Sequence, residues 1–276
     1  MQIRKIFCVI DPTTTRQRSL SRAVEAIKRS NATVHAYVGI EPVRSQTTDD
    51  REELMKAEVA RYEAWLDRLV EDLRSESGEV TTEVEVVEDW REALAPAAKR
   101  YGADLIIKAS RQRSAIQRRL LKTSDWTLLR AAHCPVLLVK SDSAKPHASV
   151  IASVNMAAKD EAHKKLSERV IEVARQVAEV TGAELHAANA FSGSLNFIHP
   201  PDLAKWVGIE RGRAHVGDKS PEELVAQLAN ELDNPLIVIG SIARSGVSGV
   251  VVGNTAERIL DVSPADILTV MSPRDN

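Results

Sequence analysis

Cysteine is scarce in this chain of 276 residues, and no apolar run approaches the roughly 20 residues needed to span a bilayer. Its two cysteines, Cys8 and Cys134, supply neither a disulfide framework nor a metal-ligand cluster. Each sits in or beside a strand-like run and reads as a buried free thiol. The opening MQIRKIFCVIDPTTT has no separate apolar segment closed by a small-residue cleavage site, and its IFCVI reads better as a strand. Together these absences point to a cytoplasmic protein. Charge of neither sign dominates: 37 Lys and Arg stand against 39 Asp and Glu, and a net charge of −2 gives no global attraction to nucleic acid or acidic membranes. Aromatic residues do not interleave with the arginines, so the stacking platforms of nucleic-acid binders are missing too. The seven histidines (His35, His133, His147, His163, His186, His199 and His215) are scattered without ligand spacing, and His163 and its neighbours read as surface residues rather than ligands, which implies no metal site. None shares a local motif with a serine or cysteine nucleophile, so acyl-transfer chemistry has no support.

What is present is a soluble globular composition, 43% apolar and 28% charged, long enough for two domains that each bury a core. The chain also repeats itself. IFCVID (Ile6 to Asp11) has a counterpart in SVIASVN (Ser149 to Asn155). Each is followed by an amphipathic helix, the first with Leu20, Ala23, Val24 and Ile27 on one face, the second with Leu166, Val170, Val173, Ala174 and Val177. TVHAYV then matches AELHAANAF, ADLIIKAS matches PLIVIGS, and HCPVLLV matches ADILTV. Continuously apolar strands alternating with helices predict an α/β fold: two tandem doubly wound sheets of five parallel strands, residues 1–143 and 144–276, joined through SDSAKPH (Ser141 to His147). TTEVEVV (Thr81 to Val87) alternates and belongs nearer a sheet edge. The halves differ in one crossover. The first has a long helix-like stretch with Tyr62, Trp65, Leu66, Leu69 and Leu73 along a face. The second has SGSLNFIHPPDLAKWVGIER, where Pro200 and Pro201 predict an irregular loop, serving either as a binding element or as a shortened crossover without a role. Ser220-Pro221-Glu222-Glu223 reads as a capping box.

One segment carries chemistry. IVIGSIARSGVSGVVVGNTAERIL (Ile237 to Leu260) ends a strand at Gly240, passes through a glycine-rich loop and starts a helix near Asn254, with Glu257 placed to close a capping box. Free backbone N–H groups at such a helix start attract anions, and glycine removes the Cβ that would block their approach. Gly253, Asn254 and Thr255 would then cradle a phosphate with Arg244 as counter-charge, or the turn binds nothing. It is neither the Walker pattern nor the dinucleotide fingerprint.

Gly240, two residues, Ala243, nine residues, then Gly253-Asn254 resembles the signature of the universal stress protein family, Gly-x2-Gly-x9-Gly-(Ser/Thr/Asn). GNTAE at Gly253 to Glu257 and SDWTLLRAAHCPVLLVK at Ser124 to Lys140 resemble its tandem, UspE-like branch. The resemblance implies a nucleotide such as ATP, or another phosphorylated ligand, held by Gly240, Gly253 and Asn254, with Asn155 in place of the strand-end aspartate that contacts the nucleoside. Ala243 stands where a second glycine is usual. In the first half Asp11 is retained, yet Ala109, Gln112 and Lys122 stand where the motif wants glycine, with Thr123 at its small polar position. That loop carries Arg111, Arg113, Arg118, Arg119 and Lys122, and it reads as a rebuilt anion site, a contact for an acidic partner, or a solvated basic face. The family's habit of pairing through its last strand further implies an intramolecular pseudo-dimer joining Pro135–Val139 to Ile267–Val270, with a homodimer as a further option. The expected function is a non-enzymatic stress-response protein binding a phosphorylated ligand in its second domain. The alternatives are an adaptor with vestigial sites and a slow ATP hydrolase, and the glycine loop offers the latter no general base.

Overall fold

The computed structural model describes residues 3–43, 48–77, 79–110, 124–143, 145–241 and 254–271. Its strands are β1 (Lys5–Val9), β2 (Thr33–Ile40), β3 (Val80–Val86), β4 (Leu105–Ala109), β5 (Val136–Val139), β6 (Ser149–Ser153), β7 (Glu184–Phe191), β8 (Ala214–Asp218), β9 (Pro235–Ser241) and β10 (Asp266–Met271). The helices among the described residues are α1 (Arg18–Ile27), α2 (Thr48–Leu69), α3 (Glu71–Ser77), α4 (Trp90–Tyr101), α5 (Ser124–Ala131), α6 (Glu161–Thr181), α7 (Pro200–Val207), α8 (Pro221–Glu231) and α9 (Asn254–Val262). Each half is the same doubly wound unit. The two units fuse into one ten-stranded sheet of order β3-β2-β1-β4-β5-β10-β9-β6-β7-β8.

Every pairing is parallel except the central one, where β5 and β10 run antiparallel with Leu137 opposite Leu268. Of those two last strands, each covers the edge that the other would leave open, so among the described residues the sheet's edge strands are β3 and β8. The interior strands β1, β4, β5, β9 and β10 are buried along almost their whole length because helices cover both faces; β5 and most of β1 and β9 therefore read as apolar runs, while β4 and β10 carry the buried Lys108 and Asp266. The alternating β3 lies at an edge, as its sequence implied. One face packs α1, α2, α6 and α7 through residues such as Leu20, Leu66, Val170 and Leu203. The other packs α4, α5, α8 and α9 through Leu94, Leu128, Leu224 and Ile259.

The segment expected to be an irregular loop after β7 is only partly one. Pro200 and Pro201 open α7 instead of preventing it, because proline lacks an N–H that the first helical turn would leave unpaired anyway. The helix buries Leu203, Ala204 and Val207 and stops at Gly208, whose φ of 76° suits only glycine without strain. Ser220 and Glu223 form the expected reciprocal capping box of α8.

The junction carries the polar core of the molecule. Asp266, fully buried at the start of β10, accepts hydrogen bonds from the Lys140 and Ser141 amides at 2.8 and 2.7 Å, from Arg22 Nε at 2.8 Å and from His147 Nε2 at 3.1 Å. Burial alone would raise its pKa, but the His147 hydrogen bond, the Arg22 charge and the Ser141 amide together hold it below the usual carboxylate range. The linker is therefore pinned rather than loose. Lys140 Nζ adds a second tie, donating to the carbonyls of Leu260 and Ser263 where α9 ends.

Several of the scattered histidines are internal. His35, His147 and His186 are buried, and the rings of His186 on β7 and His215 on β8 stack with Nδ1 and Nε2 3.1 Å apart. Cross-strand geometry, invisible in their sequence spacing, brings this pair together.

Two stability measurements test these contacts. Asp266→Asn leaves Arg22 buried without its counter-charge, and chemical denaturation should show a loss of about 3–5 kcal/mol. Denaturation unchanged within 1 kcal/mol (roughly the spread of ordinary substitutions) would show that the junction does not depend on this carboxylate. The His186 pKa is lowered by burial, then by His215 and Arg213, against Glu184; that of His215 is lowered by burial against Glu231. Folded-state values below the unfolded one mean that this contribution is present above about pH 6.5 and is lost as pH falls through the folded values. Stability should accordingly drop by on the order of 1 kcal/mol toward pH 5, and a His186→Gln variant should show a flatter profile.

Candidate functional site

Each half reverses its strand order between the first and fourth strands, and in open α/β sheets the crevice beyond the carboxyl ends at that point is the usual ligand position. Both crevices are present. In the C-terminal half a cavity of about 290 Å³ is lined by Asn155 after β6, Gly240 on β9 and Thr255 on α9. Three predicted site residues from separate elements thus converge on one space. The loop bearing Asn155 is tightly built: Asn155 Oδ1 accepts from the Ala157 amide at 3.1 Å, and the fully buried Asn189 accepts from the Met156 amide at 2.7 Å. Of the other predicted residues, Ala243, Arg244, Gly253 and the Asn254 side chain lie outside the described residues, while α9 starts at Asn254 as the sequence implied.

Gly240 has a packing reason of its own. A Cβ built there would lie 2.4 Å from Cγ of Leu166 on α6, so the absent side chain lets α6 settle against the end of β9. Leu166 also lines the cavity, as does His163, which the sequence placed on the surface. His163 Nδ1 lies 2.7 Å from both carboxylate oxygens of Asp160, the residue that caps α6. The His163 hydrogen bond holds the Asp160 carboxyl below its usual range. Neither residue carries a local motif. Only the way α6 begins over the strand ends reveals them.

The N-terminal crevice is larger, about 430 Å³, and the corresponding Asp11, Ala109 and Ser124 line it, with Trp90 and Tyr62 on its walls. Asp11 is partly engaged by its own turn, its Oδ1 accepting from Thr13 N at 2.9 Å and from Thr13 Oγ1 at 2.6 Å. The floor holds a group that sequence reading passed over: Lys108 Nζ donates to Asp125 Oδ1 at 2.6 Å, and Ser110 Oγ donates to Asp125 Oδ2 at 2.7 Å. Burial would raise the Asp125 pKa, but the adjacent Lys108 charge and hydrogen bond, with Ser110, lower it. The equivalent positions in the second half are Ile239 and Ala256, so the two crevices share a scaffold and differ in floor chemistry. Ser241, the equivalent of Ser110, has a buried hydroxyl without a hydrogen-bond partner among the described residues. Arg111, Arg113, Arg118, Arg119 and Lys122 lie outside the described residues.

Cys8 and Cys134 are both buried, and burial pushes each thiol up to about 12, far from nucleophilic use. Among the described residues no group of three His, Cys, Asp or Glu could hold a metal ion, and no helix is long and apolar enough to cross a membrane.

Comparison with known proteins agrees with this architecture. The model of the universal stress protein family matches residues 2–140 and 203–271. Universal stress protein E of Escherichia coli strain K12 is 26% identical, the match covering 97% of this chain and 93% of that protein. A functionally unknown protein from Pseudomonas aeruginosa PAO1 superposes with a TM-score of 0.77 at 25% identity, covering 98% of this chain and 93% of the other. A universal stress protein from Archaeoglobus fulgidus DSM 4304 shares the fold over 100% of this chain and 98% of its own, with a TM-score of 0.70 at 18% identity.

If Gly240 serves packing, Gly240→Ala should destabilise the protein by about 1–3 kcal/mol through overpacking against Leu166. Adding Leu166→Ala should recover much of that loss in a double-mutant cycle. Strictly additive effects in thermal denaturation would break the link between the two positions.

Proposed function

The chain belongs to the universal stress protein family, in its tandem branch, and from that membership we propose a non-enzymatic stress-response protein whose C-terminal half binds a phosphorylated ligand such as ATP. The observation that carries this reading is the convergence of Asn155, Gly240 and Thr255 on one cavity at the strand ends. The start of α9 lies there, where unpaired backbone N–H groups and the helix dipole favour an anion. Gly253 and Asn254 would bring the phosphates close, and Arg244 would supply the mobile counter-charge. The Ser241 hydroxyl, buried and without a hydrogen-bond partner among the described residues, stands at the root of the same loop as a free donor for a ligand oxygen. Asn155 offers a nucleoside an amide donor, which a carboxylate could not.

The N-terminal crevice is assigned a different role. Lys122 stands where close phosphate approach needs glycine, while Thr123 keeps the small polar position. An anion reaching that half would be held by side chains from Arg111 to Arg119, and its binding would weaken as salt is raised.

Calorimetric titration of the intact protein with ATP tests both assignments. Gly253→Leu should weaken binding at least tenfold, about 1.4 kcal/mol, while Asp11→Ala should change it less than twofold. Unchanged affinity in a folded Gly253→Leu protein would remove the C-terminal site. Release of ADP on prolonged incubation, abolished by the same substitution, would favour the hydrolase reading instead.

A further inference from the structure

Beneath α1 and α6, where the two halves meet, lies a third cavity of about 150 Å³, apart from both crevices. Its floor is Leu105 and Leu137 from the first half and Leu236 and Leu268 from the second, laid across the antiparallel seam. Val173 and Val177 of α6 wall one side, Ala26 and Arg22 of α1 the other. The lining is almost wholly apolar, and a cavity of this order admits a benzene-sized molecule.

Of the polar residues at that lining, which also include His147, Glu25 and Arg29, two carry a buried atom without a partner among the described residues. Arg22 is 2% exposed, yet only part of its guanidinium is used: Nε donates to Asp266 and Nη1 to the Lys145 carbonyl at 2.6 Å. Nη2 is buried with no hydrogen-bond partner among the described residues. Gln176 Oε1 is buried and unpartnered in the same way, although Gln176 Nε2 reaches Glu172. A buried donor and acceptor left unmade are costly, and both belong to residues lining this one cavity.

From these observations we infer that the seam between the halves is a second ligand site, for a small uncharged molecule with an apolar body and one hydroxyl or carbonyl group. The apolar body fills the leucine floor, and the oxygen accepts from Arg22 Nη2. A neutral ligand is specified by the charges already present. Arg22 and His147 both pair with the fully buried Asp266, at 2.8 and 3.1 Å, and at the rim Arg29 is matched by Glu25 at 2.7 Å. A carboxylate would have to share one guanidinium with Asp266 and would enter a lining unable to solvate it. The site is built from both halves, so its occupant would bind only the assembled tandem and would tighten the seam.

The probes are benzyl alcohol, toluene and benzoate, titrated against the full chain by NMR. Benzyl alcohol should saturate, with intermolecular NOEs from its ring to the Leu137 and Leu268 methyls, while toluene and benzoate should bind at least tenfold more weakly. Val177→Phe, which fills the cavity, should weaken benzyl alcohol at least tenfold and leave any ATP affinity of the C-terminal crevice within twofold, so this site and that crevice stand or fall separately. Arg22→Met should reduce benzyl alcohol to the level of toluene. If that variant fails to fold, the NOE pattern in the unmodified protein decides alone. No saturation up to about 10 mM benzyl alcohol, NOEs to other methyls, or toluene binding as tightly as the alcohol would each overturn the inference.

Discussion

A single buried carboxylate holds the molecule together. Asp266 is the first residue of the last strand, yet its partners come from three other places: α1 of the first half, the end of β5, and the linker. A fully buried carboxylate survives only where donors surround it, and four meet here. Their convergence forces the linker to fold back over the seam and holds β10 against β5. The ten-stranded sheet, the pinned linker and the cavity beneath α1 and α6 all depend on that arrangement.

Duplication explains the scaffold, and divergence explains the sites. Equivalent crevices stand at equivalent strand ends, but one has Lys108 and Asp125 on its floor where the other has Ile239 and Ala256. A buried ion pair must be compensated in place, and Ser110 and Lys108 together satisfy both carboxylate oxygens of Asp125. With the carboxylate replaced by Ala256 in the second half, the Ser241 hydroxyl has no hydrogen-bond partner among the described residues. The same position in the repeat is thus a closed network in one half and, among the described residues, a hydroxyl without an acceptor in the other.

Packing and function meet at Gly240. The glycine belongs to the resemblance that points to phosphate binding, and in the fold it also makes room for Leu166. The packing role follows from the Leu166 side chain, which takes the space a Cβ at the end of β9 would need. The start of α6 contributes to the same place twice, since Leu166 presses on Gly240 while His163 and its partner Asp160 stand at the cavity.

The sequence by itself determined the repeat, the doubly wound units, the edge position of β3, the capping box at Ser220 and the start of a helix at Asn254, because each rests on local periodicity or local hydrogen bonding. It also brought Asn155, Gly240 and Thr255 forward as one site, since strand ends and glycine loops leave marks in the chain. The prolines at 200 and 201 misled because the same residue that breaks a helix interior is well suited to its first turn. Only the tertiary structure decided what long-range pairing controls. Lys108 with Asp125, His186 with His215, and Arg22 with Asp266 are separated by 17, 29 and 244 positions, and no spacing rule connects them. Charged and imidazole side chains look like surface residues in a sequence; whether they are buried depends on partners that arrive from other elements, and those partners are fixed only when the sheet closes.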